Sequence, residues 1–501
     1  MYRAFIDLKN SKGTIDRNIY GHFSEHIGGV FYDGLWVGED SKVENIRGFR
    51  KALVESFKKI NPPVLRWPGG CFAETYDWRD GIGPREKRPT RVNWWYYEDG
   101  RLESNHVGTH EFMDFCKMVG AEPYVAANMT TTTPMHIRDW IEYCNFPAGT
   151  TTLANERAEN GAEEPFGVKY WGIGNENWGG GGCMLPEQCA DEYHRYTTVC
   201  RPVDNVGIKY IMCGANATDV EWTRRIMKRW SERKWPVVKT WGLSLHYYNS
   251  ALSGSDEQQF EGVEDWNDEI FRAHYIGHVI DEHRAAMDEF DPERKVKLVV
   301  DEWGNWHKDG SGPSKGYNLF EQQSSMRDAV VAAMELNLFN DRCDIIGMAN
   351  LAQLCNNLHS LYLTGGENFV ETPNYHVFDM YKGHQDGVQR PVVMQAGKLA
   401  HKGFADISDI SASASVKDGV MTLTLVNLDL ENVHEIELSG LGGSIAGEGE
   451  MVVLHHENAN TCNTFEEPRA VVPYSEKITL DETTVVKLPA ASVAAITVKI
   501  G

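Results

Sequence analysis

Two acidic residues stand at the ends of short apolar runs that lie far apart in the chain. Glu176 ends KYWGIGNE (169–176), and Glu302 lies near the end of KLVVDEW (297–303). Two carboxyl groups that face each other across a pocket can cleave a glycosidic bond, because one donates a proton to the leaving oxygen while the other attacks the anomeric carbon. The elements around them must therefore bring these two residues together.

This chemistry requires the two carboxyl groups to have different pKa values. A nearby cation and hydroxyl donors keep the attacking carboxylate ionised, whereas burial and negative neighbours raise the pKa of the acid. Arg66 and Tyr248 are candidates for the cation and the hydroxyl donor that keep the attacking carboxylate ionised. Asn175, next to Glu176, is a candidate for a hydrogen bond to a sugar hydroxyl in the transition state.

Polar residues also end nearly all of the remaining strand-like runs. A single buried carboxylate is more often a satisfied structural group than a catalytic one. A whole series at successive strand ends is hard to explain by packing, and it predicts a functional site. In chain order the series is Glu25, Arg66, Asn128, Asn175 with Glu176, Asn216, His246 with Tyr248, Glu302 and Gln353.

The elements that position these residues follow from hydrophobic periodicity. Eight strand-like runs alternate with amphipathic segments such as IRGFRKALVESFKKI (46–60), which predicts a closed (β/α)8 barrel, a TIM barrel, over residues 19–385. Its catalytic groups are expected at the C-terminal ends of the strands. From about residue 386 apolar and polar residues alternate, as they also do in MYRAFIDL (1–8). Residues 1–18 and 386–501 are therefore predicted to form an antiparallel β-sandwich domain.

Tryptophans cluster in or just after the predicted strand ends. A single tryptophan is more often a core residue, but a cluster in loops is better explained as a surface that stacks on sugar rings. The cluster comprises Trp67, Trp78, Trp94, Trp95, Trp178, Trp303 and Trp306.

Composition narrows the partners and the compartment. The 501 residues carry a formal charge of -23, from 72 acidic and 49 basic residues, which disfavours nucleic acid and anionic membranes as partners. The first residues contain no apolar region of signal-peptide length, and no uninterrupted apolar run approaches about 18 residues. With ten scattered cysteines, these features favour a cytoplasmic protein with reduced thiols.

Three competing motifs are weaker. HFSEH (22–26) matches the zinc-peptidase pattern H-x-x-E-H, but that pattern works only on a helix, and the context here is strand-like. GIGNEN (172–177) lacks the third glycine of a dinucleotide-binding loop. Cys183 and Cys189 do not have zinc-finger spacing. None of these three motifs therefore predicts a metal site or a dinucleotide site.

The strand-end motifs resemble those of glycoside hydrolase family 51, the α-L-arabinofuranosidases, over essentially the whole chain. The motifs are RWPGGCF (66–72), WGIGNENWG (171–179), LHYY (245–248), VDEWGNW (300–306) and MANLAQ (348–353). The resemblance implies that Glu176 is the general acid/base and Glu302 the nucleophile of a retaining reaction. It also implies that no cofactor is needed. Members of the family often form hexamers, so the resemblance implies a homo-oligomer.

The resemblance extends to residues around the sugar. Arg66 and Tyr248 match residues that hold the nucleophile, and Asn175 matches the one that contacts the 2-hydroxyl group. Cys71 stands where many members have Asn, which indicates a subgroup. With the stacking tryptophans, the predicted substrate-binding set is Glu25, Arg66, Cys71, Asn175, His246, Tyr248, Gln353, Trp178, Trp303 and Trp306.

The leading hypothesis is a retaining exo-acting α-L-arabinofuranosidase that releases terminal arabinofuranose from oligosaccharides of arabinoxylan or arabinan. A β-xylosidase or endo-glucanase on the same barrel is the rival within the class. A carbohydrate-binding protein on an inactive barrel is the rival outside it.

Two loops have open interpretations. The long loop 71–100 is predicted to form either a pocket wall or a subunit contact. The four glycines 179–182 either leave room for the leaving-group sugar beside Glu176 or serve a tight turn into the next helix.

Overall fold

The computed structural model describes residues 1–96, 100–200, 206–233, 239–250, 254–481 and 484–500. The chain forms two compact units, one of Gly21–Tyr247 with Val279–Glu302 and the other of Met1–Tyr20, Tyr248–His278 and Trp303–Gly501. The predicted boundaries at 19–385 and at 1–18 with 386–501 stay a prediction. Among the described residues, no helix is both long enough and apolar enough to span a bilayer.

Eight strands close into the predicted barrel, and neighbouring strands from the first to the sixth pair in parallel register. They are buried along almost their whole length, as expected for strands covered on both faces. In chain order, which is also the order around the barrel, they are Gly21–Phe23, Val64–Trp67, Glu122–Ala127, Tyr170–Ile173, Lys209–Asn216, Thr240–Tyr248, Lys297–Gly304 and Ile346–Leu351. We refer to them as the first to eighth barrel strands.

Helices alternate with these strands as the periodicity predicts. The second helix shows how the sequence sets their ends: the Glu111 side chain accepts the Gly108 N–H at 2.9 Å, and Gly120 ends the helix in the left-handed conformation with φ 81°. The helices are Lys51–Lys59, Thr109–Val119, Pro134–Asn145, Thr152–Glu159, Pro186–Val199, Val220–Ser231, Gly262–Asp288, Met326–Asn340 and Pro373–Tyr381.

Two sheets form the strand-rich C-terminal part. The six-stranded sheet is antiparallel and contains, in spatial order, Val388–Arg390, Ile410–Lys417, Val420–Asn427, Ser492–Lys499, Gly447–Leu454 and Tyr474–Leu480. The four-stranded sheet contains Val392–Gln395, Tyr2–Asp7, His434–Leu441 and Val485–Leu488. Buried residues of both sheets, such as Leu423 and Leu438, share one core.

One strand pair departs from the expected antiparallel arrangement. Tyr2–Asp7 runs antiparallel to Val392–Gln395 but parallel to His434–Leu441. Alternation of apolar and polar residues indicates a half-buried strand but carries no information on the direction of its neighbour.

Candidate active site

Seven predicted site residues come together in the unit formed by Gly21–Tyr247 and Val279–Glu302. They reach one another from the ends of five barrel strands and from the loop after the second strand, as the convergence of parallel strand ends requires. Glu176 and Cys71 are partly exposed, and the others are buried. The seven are Glu25, Arg66, Cys71, Asn175, Glu176, His246 and Glu302.

Arg66, in the second barrel strand, joins the ends of the fourth and seventh strands. Its Nη1 donates to Glu302 Oε1 at 2.8 Å, and its Nη2 donates to Asn175 Oδ1. The guanidinium also lies over the ring of Phe23, 4.3 Å from the ring centroid. Because Arg66 is only 1% exposed, the positive charge acts on Glu302 with little screening by solvent.

His246, near the end of the sixth strand, contacts three carboxylates. Its Nδ1 lies 2.9 Å from Glu176 Oε1 and 3.3 Å from Glu302 Oε2, and its Nε2 lies 3.0 Å from Asp301 Oδ1. Burial by itself would lower the pKa of His246, but the three carboxylates raise it well above the ordinary value. The imidazole is therefore protonated in this arrangement, and it bridges Glu176 and Glu302.

The two central carboxyl groups have opposite pKa shifts. Burial raises the pKa of Glu302, and the attraction of His246 and Arg66 offsets only part of that increase. Burial acts in the same direction on Glu176, but its hydrogen bond and attraction to His246 prevail and lower the pKa. In this arrangement His246 favours the ionised form of Glu176, whereas an acid at this position must carry a proton.

Glu25, beyond the first strand, faces the same centre. Its Oε1 accepts hydrogen bonds from Phe72 N at 3.0 Å and from Trp95 Nε1 at 3.1 Å. Burial, followed by the charge of Glu302, raises the pKa of Glu25 to about 7. The contact with Trp95 supports the interpretation of loop 71–100 as a pocket wall; residues 97–99 of that loop lie outside the described residues.

Asp301 is a site residue that the sequence did not predict. It contacts His246, and its Oδ2 accepts a hydrogen bond from Tyr124 Oη at 2.9 Å. The backbone carbonyl of Asp301 also accepts from Arg66 Nη1 at 3.3 Å. The available signal was its place next to Glu302 in VDEW, but neighbouring strand residues are expected to point to opposite faces.

The remaining residues of the predicted substrate-binding set belong to the other unit or to the fourth-strand loop. Tyr248 packs edge-on against Trp306 with ring centroids 5.0 Å apart, and Trp306 is partly exposed. Gln353 is buried, and its backbone N–H donates to Asn357 O at 3.2 Å. Trp178, two residues after Glu176, is partly exposed.

Three of the clustered tryptophans are core residues, which corrects the expectation of a sugar-stacking surface for them. Trp67, Trp78 and Trp303 are each 0% exposed. Trp303 packs edge-on against Phe339 with ring centroids 5.1 Å apart. A position after a strand end does not by itself decide whether a large ring turns inward. Trp94, at 63% exposed, faces solvent.

The motif HFSEH does not have the helical geometry of a zinc peptidase. It consists of the end of the first strand followed by coil. His26 Nδ1 pairs with Glu103 Oε2 at 3.1 Å, and its Nε2 accepts the Trp67 Nε1 proton at 3.0 Å. His22 instead packs edge-on against Phe57, with ring centroids 5.0 Å apart. The two histidines therefore serve separate packing environments.

The glycine run after Trp178 forms a tight turn. Gly179 N and Gly181 N both donate to Glu176 O, at 2.8 and 3.1 Å. Gly181 is buried, and a Cβ at this position would lie 1.6 Å from Asn175 O. The backbone of Asn175 therefore leaves no room for a side chain at position 181. This favours the interpretation of the glycines as a tight turn.

The raised pKa of Glu25 leads to a prediction about stability. A carboxyl group whose pKa is about 4.5 when unfolded and about 7 when folded stabilises the fold below pH 4.5, and this contribution is lost as the pH rises to 7. The loss amounts to at most about 3 kcal/mol. We expect Glu25→Gln to reduce the decline in thermal stability between pH 4.5 and 7, measured as Tm against pH. Parallel curves for the two proteins would contradict the assignment.

Comparison with known proteins agrees with this geometry. The family model of the α-L-arabinofuranosidase 1 domain matches residues 56–251, and that of the α-L-arabinofuranosidase C-terminal domain matches residues 301–492. An "intracellular exo-alpha-L-arabinofuranosidase" of Bacteroides ovatus is 40% identical over 496 residues, which cover 97% of this chain and 94% of the relative.

Solved structures give the same result. The GH51 arabinofuranosidase of Xanthomonas axonopodis pv. citri has a TM-score of 0.93 and 36% identity, over 99% of each chain. The α-L-arabinofuranosidase of Thermotoga maritima, in an arabinose complex, has a TM-score of 0.87 and 29% identity over 100% of each chain. With this identity, coverage and fold, the chain belongs to the α-L-arabinofuranosidases of glycoside hydrolase family 51, and it is a glycoside hydrolase.

Proposed function

We propose that this enzyme is a retaining, exo-acting α-L-arabinofuranosidase that releases terminal arabinofuranose from oligosaccharides of arabinoxylan or arabinan. The observation that carries the mechanism is the proximity of the two carboxyl groups. A carboxylate oxygen of Glu176, a ring nitrogen of His246 and a carboxylate oxygen of Glu302 lie within 4.8 Å of one another. Retaining enzymes have carboxyl groups about 5–5.5 Å apart, whereas inverting enzymes hold them about 6.5–9.5 Å apart to admit a water molecule.

Glu302 is the proposed nucleophile and Glu176 the proposed acid/base. The Glu302 side chain is 7% exposed and accepts a hydrogen bond from Arg66, which stabilises the ionised form. The Glu176 side chain is 19% exposed, so it is the more accessible to a leaving group and to water. Both roles agree with those that the family resemblance implies.

The proposed reaction has two displacements. The Glu302 carboxylate forms a bond to the anomeric carbon, the bond to the leaving oxygen breaks, and that oxygen takes a proton from Glu176. In the second step Glu176 takes a proton from water as the water oxygen attacks the anomeric carbon and the bond to Glu302 breaks. Glu176 is then protonated again.

The first step requires the proton of His246 to move to Glu176. The path is the 2.9 Å hydrogen bond between His246 Nδ1 and Glu176 Oε1. When a neutral sugar replaces water in the pocket, the uncharged pair of carboxylic acid and imidazole is favoured over the ion pair, because buried charges lose solvation. In the proposed reaction, substrate binding therefore raises the pKa of Glu176, so that it can act as the acid.

The sugar-binding assignments follow from the same geometry. Glu25 and Asn175 face the centre as potential partners of sugar hydroxyl groups, and Cys71 Sγ lies 3.3 Å from Glu176 Oε2. Trp178 and Trp306, both partly exposed, are the remaining candidates for stacking on a sugar. A cytoplasmic location and a homo-oligomer, a hexamer by resemblance, stay predictions.

A panel of aryl glycosides tests the activity. We expect turnover of aryl α-L-arabinofuranoside to exceed that of aryl β-D-xyloside and β-D-glucoside, with the released arabinose retaining its anomeric configuration in an NMR time course. Faster turnover of the xyloside would favour a β-xylosidase. Failure on every aryl glycoside would leave a carbohydrate-binding protein as the better account.

The roles of the two carboxylates predict different responses to the leaving group. Glu176→Ala should lose activity mainly on substrates whose leaving groups need a proton, by about 10²–10⁴-fold, and little on 2,4-dinitrophenyl arabinofuranoside in kcat/KM. Glu302→Ala should lose activity on all of them, because no covalent intermediate forms. Azide should accelerate the second step of Glu176→Ala and yield a glycosyl azide of retained configuration. Identical leaving-group profiles for the two variants would show that the roles are misassigned.

Gly70 lies so close to Glu302 and Glu25 that a side chain at this position is expected to lower activity. A Cβ at Gly70 would lie 3.0 Å from Glu302 Oε1 and 3.4 Å from Glu25 Oε2. We expect Gly70→Ala to displace Glu302 and lower kcat/KM by about 10²-fold, since small misplacements of reacting groups are costly. The control is Gly365→Ala, whose Cβ would make an ordinary contact of 3.4 Å with Phe465 and should leave kcat/KM unchanged. An equal effect of the two substitutions would contradict the explanation.

A further inference from the structure

A buried carboxylate that the proposed reaction does not use lies in the turn after the second barrel strand. This turn is the short 3-10 helix Cys71–Thr75, and its Glu74 is only 2% exposed. A buried carboxylate is strongly unfavourable unless its oxygens accept hydrogen bonds. The partners of Glu74 therefore indicate what it holds in place.

Glu74 accepts four hydrogen bonds from two other strand ends. Its Oε1 accepts from Asn175 N at 2.6 Å and from Asn177 Nδ2 at 3.1 Å. Its Oε2 accepts from Met129 N and Thr130 N, both at 2.8 Å. One side chain thus connects the loops that follow the second, third and fourth barrel strands.

The two bonds to Oε1 lie on either side of the proposed acid/base. Glu176 stands between Asn175 and Asn177 and has a φ of 43°, in the left-handed region that a residue with a side chain rarely adopts. Such a conformation is strained and persists only where the surroundings enforce it. The bonds to Glu74 supply that constraint on both neighbours.

We propose that Glu74 is a positioning residue for the reaction: its carboxylate fixes the backbone of Asn175–Asn177 and thereby aims Glu176 at the leaving oxygen. This inference rests on the proposed acid/base role of Glu176. It goes beyond that role because it assigns the orientation of the acid to a residue whose hydrogen bonds go to the two neighbours of Glu176 and to the loop after the third strand.

The same turn reaches two other site residues. Phe72 N donates to Glu25 Oε1 at 3.0 Å, and Cys71 Sγ lies 3.3 Å from Glu176 Oε2. A shift of the turn would therefore be felt by the sugar-binding side as well as by the acid. Glu74 holds the turn to the loops of the third and fourth strands.

A role in folding alone and a role in positioning predict different kinetics. A clamp that only stabilises the fold affects all substrates of the folded enzyme alike. Misdirection of the acid affects mainly substrates whose leaving group must be protonated. The dependence of kcat/KM on the leaving group separates the two.

The experiment compares Glu74→Gln with the parent enzyme on aryl α-L-arabinofuranosides of graded leaving-group acidity. The amide keeps the size of the side chain but places an NH2 group against two N–H donors. We expect kcat/KM to fall about 10–100-fold on the phenyl substrate and less than about threefold on the 2,4-dinitrophenyl substrate.

Asp291→Asn is the matched control. Asp291 is also a buried carboxylate that accepts two backbone N–H groups, from Lys295 at 3.1 Å and Val296 at 2.8 Å, before the seventh strand begins. Its loss should lower Tm without changing the leaving-group profile. Glu176→Ala in the same panel provides the reference profile for a missing acid.

The possible outcomes distinguish a positioning role of Glu74 from a role in folding alone. A uniform loss across leaving groups for Glu74→Gln, or a lower Tm with an unchanged profile, would overturn the inference. If Glu74→Gln does not fold, Glu74→Asp, which keeps the charge but shortens the reach, is judged by the same criterion. If Glu176→Ala itself shows no dependence on the leaving group, the assigned role of Glu176 fails, and that result is distinct from a failure at Glu74 alone.

Discussion

The site depends on the burial of more negative than positive charge. Glu176, Asp301 and Glu302 surround two cations, Arg66 and His246, in a place where solvent screens little. Each cation contacts at least two of the carboxylates, so no pKa in the group is set by one pair alone. Asp301 takes no part in the proposed bond changes, yet it holds the far nitrogen of His246 and so keeps the near nitrogen aimed at Glu176 and Glu302.

The barrel could be predicted because its strands are short, apolar and separated by helical segments. The observed seventh strand, Lys297–Gly304, differs from the predicted run 297–303 by a single residue. The β-sandwich strands could be predicted because apolar and polar residues alternate along them. Their pairing was not, because the parallel contact of Tyr2–Asp7 with His434–Leu441 joins residues more than 400 positions apart, and no local pattern encodes it.

Much of the site could also be predicted, since the C-terminal ends of parallel strands converge wherever the barrel forms. This rule correctly predicts that Arg66, Glu176, His246 and Glu302 lie close together. It failed for Asp301, which a period-two pattern assigns to the face opposite Glu302, and for Glu74, because a carboxylate in a loop is expected to face solvent. The depth at which a side chain lies is a property of the packed fold, and the buried Trp303 shows the same limit.

The left-handed backbone at Glu176 has an evolutionary consequence. Glycine adopts this conformation at little steric cost, so selection for stability alone would favour glycine at position 176. A glutamate there lowers stability and supplies the carboxyl group instead. Stability and activity are therefore in opposition at this one residue, and gains in heat resistance must come from other parts of the chain.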